Sequence, residues 1–184
     1  MIGILSDTHD NLDAVRLAVQ LFRDAGCSLL IHAGDFVAPF AARELGKAGI
    51  PVQAVYGNCD GEKHGLADAI APFGAIQDAP LILQHAGLSI LVTHSAAWKS
   101  VRRGEYDAGG PGVSLGVSLR RTRSWIETTG KYDVVIFGHT HKPEVGREGR
   151  TLVINPGEAC GWLTGRKTVA LLDPMTRSTD ILPL

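Results

Sequence analysis

The chain has 184 residues, 45% of them hydrophobic and 20% charged, with a formal net charge of -1. That is enough chain to bury a full core as one domain, residues 1–184, and the balanced charge gives no overall electrostatic case for nucleic acid or an anionic membrane surface. No run reaches the roughly eighteen apolar residues of a spanning helix, and Cys27, Cys59 and Cys160 are odd in number, far apart and without a C-x-x-C pair, which predicts a soluble, cytoplasmic protein kept reduced.

In chain order, Ile2, Ile4 and Leu5 read as a buried strand that runs into Asp7 and His9. A carboxylate and an imidazole two positions apart project to the same side of an extended segment. Ligands of open α/β sheets sit beyond the carboxyl ends of strands. Asp7 and His9 are therefore candidate ligands of one metal ion; the plain alternative is a capping Asp and a solvated His. Leu12, Val15, Val19 and Phe22 then fall at helical spacing, and Gly26 is the expected C′ residue.

Ser28 to Ala33 predicts a central strand buried on both faces, leading into Gly34-Asp35. A helix near Ala38 to Ala48 and a strand over Pro51 to Tyr56 follow, the latter leading into Gly57-Asn58-Cys59-Asp60. The alternation points to parallel βαβ units and an α/β fold. Each Gly-Asp or Gly-Asn is by itself a common turn, but oxygen and nitrogen donors after three successive strands favour a ligand site. Glu62 to Phe73 predicts a short helix broken by Pro72. Leu81 to Gln84 and Leu88 to Thr93 predict a hairpin turning at Ala86-Gly87, which delivers His94 and leaves His85 as a surface residue.

Ser95 to Gly112 is rich in glycine and reads as a loop or flap carrying Trp98, Lys99, Arg102, Arg103 and Tyr106. A helix from about Ser114 to Thr128 shows Arg120, Arg121 and Arg123, either a solvated basic face or a rim that attracts an anionic substrate. Tyr132 to Phe137 predicts a strand ending in Gly138-His139-Thr140-His141, and Thr151 to Ile154 one ending in Asn155-Pro156-Gly157-Glu158. Lys167 to Leu172 and Ser178 to Leu182 predict a closing hairpin. Asp7, His9, Asp35, Asn58, His94, His139 and His141 together exceed what one ion needs and fit two ions about 4 Å apart.

These motifs, in this order from Ile2 to about Thr168, resemble the calcineurin-like metallophosphoesterase superfamily. The short chain, Gly57-Asn58-Cys59-Asp60 and Ile154 to Glu158 resemble its small bacterial and archaeal phosphodiesterase branch. The resemblance implies a four-layer αββα sandwich of two mixed β-sheets flanked by helices. It also implies that Asp7, His9 and His141 hold one divalent ion and Asn58, His94 and His139 the other, with Asp35 bridging. A bridging hydroxide would then attack phosphorus, making Asp35, Asn58 and His94 catalytic and Asn58 also a substrate contact. Manganese is the first expectation for the metal, with nickel, iron or zinc as alternatives.

Many superfamily phosphatases have a His where this chain has Cys59, and a thiol with an ordinary pKa of about 8.5 is a poor substitute for an imidazolium acid. Cys59 is thus either a catalytic residue for substrates with good leaving groups or packing filler. Relatives usually follow the histidine at position 94 with Gly; here Ser95 and the long loop suggest that Lys99, Arg102 or Arg103 shapes substrate choice. A small phosphodiester is the implied partner, nucleic acid is expected only as a substrate, and the edges of the closing hairpin could support a homodimer. The alternatives are a phosphomonoesterase, or a non-catalytic scaffold like the retromer subunit, which departs at ligand positions that are all filled here.

Overall fold

The computed structural model describes residues 1–95 and 131–184. β1 (Ile2–Leu5), α1 (Leu12–Asp24), β2 (Leu29–His32), α2 (Pro39–Gly46), β3 (Val52–Val55), α3 (Lys63–Ile70) and β4 (Gly74–Gln77) alternate along the first half. β5 (Leu81–His85), β6 (Leu88–Val92), β7 (Val134–Ile136), β8 (Glu144–Glu148), β9 (Thr151–Asn155), β10 (Thr168–Leu172) and β11 (Thr179–Pro183) complete it. They make two sheets, one in the order β11-β10-β1-β2-β3-β4 and the other β5-β6-β7-β9-β8. In the first, β1 to β4 are parallel while β10 and β11 join antiparallel. In the second, β6, β7 and β9 are parallel, with β5 and β8 antiparallel at the edges.

Period-two alternation divides the core. Leu30, Val52 and Ala54 face the helices, packing with Val15, Phe22, Leu45, Leu66 and Ile70. Their neighbours Leu29, Ile31 and Val55 face the other way and meet Ile90, Val92, Val134, Ile136 and Ile154 of the second sheet. Leu91, Val135, Phe137 and Val153 form a third cluster on the far side of that sheet. Two mixed sheets pressed face to face, with helices outside the first, give the expected α/β architecture. The second helical layer, expected over 114–128, lies outside the described residues. So do Trp98, Lys99, Arg102, Arg103, Tyr106, Arg120, Arg121 and Arg123.

Local chemistry places the helix that follows β1. Asn11 caps α1 by accepting from Ala14 N at 3.2 Å, and its amide donates to the Cys160 carbonyl at 2.9 Å, tying the helix to the loop after β9. At the other end Gly26, at φ 63°, donates to Arg23 O, and Cys27 N donates to Phe22 O. This is a Schellman closure, as the position of Gly26 predicts. Between the caps Ala14, Val15, Ala18, Val19 and Phe22 are buried.

Two strands escape the sequence reading. β4 and β8 are edge strands with alternating half-burial, so Gly74-Ala75-Ile76-Gln77 and Glu144-Val145-Gly146-Arg147-Glu148 carry little apolar signal and are held by pairing with one neighbour. α3 is shorter than the expected 62–73 because its ordered turns end at Ile70. The hairpin turn is at Ala86 and Gly87, both at positive φ. His85 is half-buried at the end of β5, near Ser28 and away from the ligand cluster. No helix among the described residues is long and apolar enough to cross a membrane.

Phe22 is fully buried between α1 and the first sheet. Phe22→Ala should lower unfolding stability by about 3–5 kcal/mol, seen as a lower urea midpoint at unchanged slope. A loss under about 1 kcal/mol would contradict this placement of α1.

Candidate metal centre

All seven residues singled out at strand ends converge on one edge of the two sheets. Asp7 and His9 follow β1, Asp35 follows β2, Asn58 follows β3, His94 follows β6, and His139 and His141 follow β7. The loops that carry them are laced together by backbone bonds: Asp7 N to Gly34 O at 3.0 Å, His9 N to Asp35 O at 3.1 Å, Gly138 N to His94 O at 3.0 Å and Cys160 N to Asp7 O at 3.1 Å.

The convergence is not produced by extended backbone, as the spacing of Asp7 with His9 and of His139 with His141 suggests. Asp7, His9, Asp35, His139 and His141 all have positive φ, at 52°, 40°, 62°, 66° and 60°. Each non-glycine residue in this region costs roughly 1–2 kcal/mol, and such strain clusters where a site over-determines it. The chain leaves β1, β2 and β7 through left-handed kinks at these residues, while Asn58 after β3 and His94 after β6 are reached without one. Gly34, at φ 95°, brings its backbone against the His94 ring, where a Cβ would lie 2.7 Å from Nδ1. A Cβ at Gly57 would collide with the Asp35 carboxylate.

Around Asp35, which is 2% exposed, Oδ1 accepts from Cys59 N at 2.8 Å. Oδ2 faces His9 Nε2 at 3.6 Å and His94 Nε2 at 3.3 Å. Burial alone would raise this carboxyl, but the hydrogen bond and charge of His94, the Cys59 N–H and His9 hold it well below the usual carboxylate range. Asp7 is fully buried; it accepts from Ser6 Oγ at 2.6 Å and His139 N at 3.1 Å, and faces His141 Nε2 at 3.5 Å. Burial dominates there and pushes the carboxyl up. Asn58 Oδ1 lies 2.9 Å from His94 Nε2 and 2.8 Å from His139 Nδ1. Cys59, beside it, receives the Asn58 amide at 3.2 Å on Sγ, and burial with the nearby Asp35 charge pushes its thiol up to about 11. It is a neutral thiol.

The donors fit a divalent cation. His94 Nδ1 sits 2.8 Å from the Ala33 carbonyl, which can only accept, so Nδ1 carries the proton and Nε2 is left toward Asp35 and Asn58. His141 Nδ1 donates to Glu158 at 2.8 Å, leaving Nε2 toward Asp7. His9 Nε2 is buried without a hydrogen-bond partner. Although burial opposes it, the Asp35 and Asp7 charges raise the His94 imidazole; the field that attracts a proton there attracts a metal cation. Asp7, His9 and His141 form one group with metal-ligand spacing, and Asp7, Asp35 and His94 another.

Sequence reasoning missed the residues that hold these in place. Asp60 accepts from Asp35 N at 3.0 Å, Val37 N at 2.7 Å and Gly57 N at 2.7 Å. It thereby pins the left-handed backbone of Asp35 and of Val37, at φ 83°. Its place in Gly57-Asn58-Cys59-Asp60 was visible, its partners were not. His32, stacked on Phe36 with ring centres 3.4 Å apart, accepts from Gly34 N at 3.1 Å and donates to Thr8 Oγ1 at 3.1 Å. Burial keeps it neutral. Glu158 is fully buried, accepting from His141, Leu163 N, Thr164 N and the Thr164 hydroxyl. Against the upward push of burial, these partners hold it down to about 2. Cys160 donates to it at 3.3 Å, its own thiol pushed up to about 12 chiefly by burial.

Carboxylates, imidazoles and one amide oxygen gathered at the strand ends of two packed mixed sheets define the make-up of a metallohydrolase. The family model for the calcineurin-like phosphoesterase superfamily domain matches residues 1–177, and the chain belongs to that superfamily. It is a phosphoric ester hydrolase by family. It is 35% identical to a phosphodiesterase of Methanocaldococcus jannaschii over 94% of this chain and 92% of that one. A solved structure described as a novel archaeal phosphodiesterase superposes with a TM-score of 0.81 at 33% identity, covering 100% of this chain and 99% of that one. Vacuolar protein sorting 29 of Cryptosporidium parvum, at 16% identity and a TM-score of 0.61 over 100% of this chain and 95% of that one, shares the fold.

Asp60→Ala removes three N–H partners at once and should destabilise the protein by at least about 3 kcal/mol, measured by urea unfolding of the chelator-treated protein. A change under about 1 kcal/mol would show that the Asp35 loop does not depend on it.

Proposed function

We propose that the chain, acting as one domain over residues 1–184, is a phosphodiesterase that works with two divalent cations. The observation that carries this reading is the position of Asp35 Oδ2, between His9 Nε2 at 3.6 Å and His94 Nε2 at 3.3 Å. Asp7, His9 and His141 would hold one ion, Asn58, His94 and His139 the other, and Asp35 would touch both. When bound, such a pair supplies an activated water for in-line attack on phosphorus and positive charge beside the phosphate oxygens. The chain's own share is positioning: Asp60 fixes Asp35, Ala33 fixes His94 and Glu158 fixes His141. Manganese suits mixed nitrogen and oxygen donors, with nickel, iron and zinc as competitors.

Diesters are favoured over monoesters by two features. The similar archaeal enzyme is named a phosphodiesterase. Cys59, a neutral thiol where many phosphatases of the superfamily have His, brings neither a positive charge for a dianionic monoester nor a ready proton for a poor leaving group.

Protein stripped with chelator and given manganese, nickel, zinc or magnesium should hydrolyse bis-(p-nitrophenyl) phosphate faster than the matching monoester. Asp35→Ala should reduce turnover about a thousandfold, since it removes a contact to both ions. Monoester preference would make the protein a phosphatase; silence with every metal despite tight binding would make it a scaffold. Cys59→Ala should leave diester turnover within about threefold, whereas a hundredfold loss would identify its thiol as the proton donor.

A further inference from the structure

Three rings form a row from the ligand cluster to the surface. His141 and His9 stack with centres 5.3 Å apart and planes at 21°. His9 and Trp162 stack at 6.0 Å and 27°. Trp162 is 63% exposed and its neighbour Leu163 is 75% exposed. A contiguous apolar pair in solvent, more than a lone exposed side chain, is the kind of surface that takes up a ligand.

Their exposure does not come from a loosely held loop. Ala159 N donates to Ser6 O and Cys160 N to Asp7 O. Leu163 N and Thr164 N both donate to buried Glu158, which in turn holds His141. Gly161 and Gly165 make the sharp bends on either side, at φ 70° and 73°. The same carboxylate therefore fixes one proposed metal ligand and the backbone that presents Trp162.

We infer that Trp162, with Leu163 beside it, is a stacking platform for a planar ester substituent, an aryl group or nucleobase, on a phosphate held at the ligand cluster. This rests on the phosphodiesterase reading. The indole lies one ring beyond His9, at the exposed end of the row that starts in the ligand cluster, and a flat π-face accepts any planar group with little demand on its edge. The platform makes Trp162 a specificity-determining residue.

The test compares phenylphosphonate with methylphosphonate, which carry the same anionic head, by calorimetry on manganese-loaded protein, with bis-(p-nitrophenyl) phosphate turnover followed in parallel. Wild-type protein should bind phenylphosphonate about fivefold to tenfold more tightly than methylphosphonate. Trp162→Ala should bring that ratio close to one while leaving methylphosphonate affinity unchanged, and should raise KM for the aryl diester more than it lowers kcat. Trp162→Phe should keep most of the discrimination. A ratio that survives Trp162→Ala overturns the platform, with the phosphodiesterase reading untouched if turnover persists. Failure of wild-type protein to bind either phosphonate overturns the platform, and the phosphodiesterase reading falls with it only if diester turnover is absent as well. Discrimination lost as expected in a protein without diester turnover upholds the platform and removes only the phosphodiesterase reading.

Discussion

Four carboxylates, Asp7, Asp35, Asp60 and Glu158, are buried within one end of this fold, each no more than 3% exposed, and their need for compensating charge or hydrogen bonds governs the arrangement around them. An isolated carboxylate cannot be taken out of water without its charge being met. Two of the four are met within the chain. Asp60 receives three backbone N–H groups, and Glu158 two N–H groups, a hydroxyl and the His141 ring. Asp7 and Asp35 are met only in part: each has an oxygen turned toward histidine nitrogens at 3.3–3.6 Å. The saturated pair brace the loops; the open pair leave negative potential directed at a common point. That division of labour suits the cluster to a cation, where an unmet acidic pair would otherwise only destabilise it.

The bracing matters because the strand ends are strained. Five of the seven proposed ligands sit at positive φ, a conformation that L-residues hold only when their surroundings insist on it. Asp60 insists for Asp35 and Val37. The relay from Gly34 N through His32 and Thr8 does so for the first two loops together: the Thr8 hydroxyl donates to the Asp35 carbonyl at 3.3 Å. With every donor in that relay assigned, His32 has one tautomer and the loops one register. Ligand atoms are thereby set before any ion arrives, which lowers the reorganisation left for binding.

How far the sequence spoke for itself follows from this. The central strands were legible because Leu29 to His32 and Val52 to Val55 are near-continuous apolar runs flanked by glycine, and the donors were legible because they recur after those runs. The edge strands β4 and β8 were silent, since an edge needs only one partner and tolerates Gly74, Glu144 and Glu148. The roles of Asp60, His32 and Glu158 were silent for a different reason. Asp60 and Glu158 act by accepting from backbone N–H groups and a ring, and His32 by bridging Gly34 N to the Thr8 hydroxyl, with partners up to 25 residues from Asp60 and 24 from His32 that only the fold brings close. Nor does two-residue spacing report backbone sign: Asp7 with His9 and His139 with His141 converge through left-handed kinks, and alternation along a strand predicted the convergence for the wrong geometric reason.

A shared fold leaves function open, and the superposition with vacuolar protein sorting 29 at 16% identity makes that concrete. What a chain of this fold does is decided by its side chains and by what supports them. In this chain the far nitrogen of His94 is committed to the Ala33 carbonyl and that of His141 to the buried Glu158 carboxylate. Such commitments add little to packing; their effect is to aim the remaining nitrogen. They occur here beside His9, whose buried Nε2 has no hydrogen-bond partner, and beside a carboxylate facing two rings. Orienting groups at this density is difficult to account for by stability alone, because a core of apolar residues would fill the same space without burying four negative charges. The donor set fits a cationic guest, which is what membership of the calcineurin-like phosphoesterase superfamily implies for this chain.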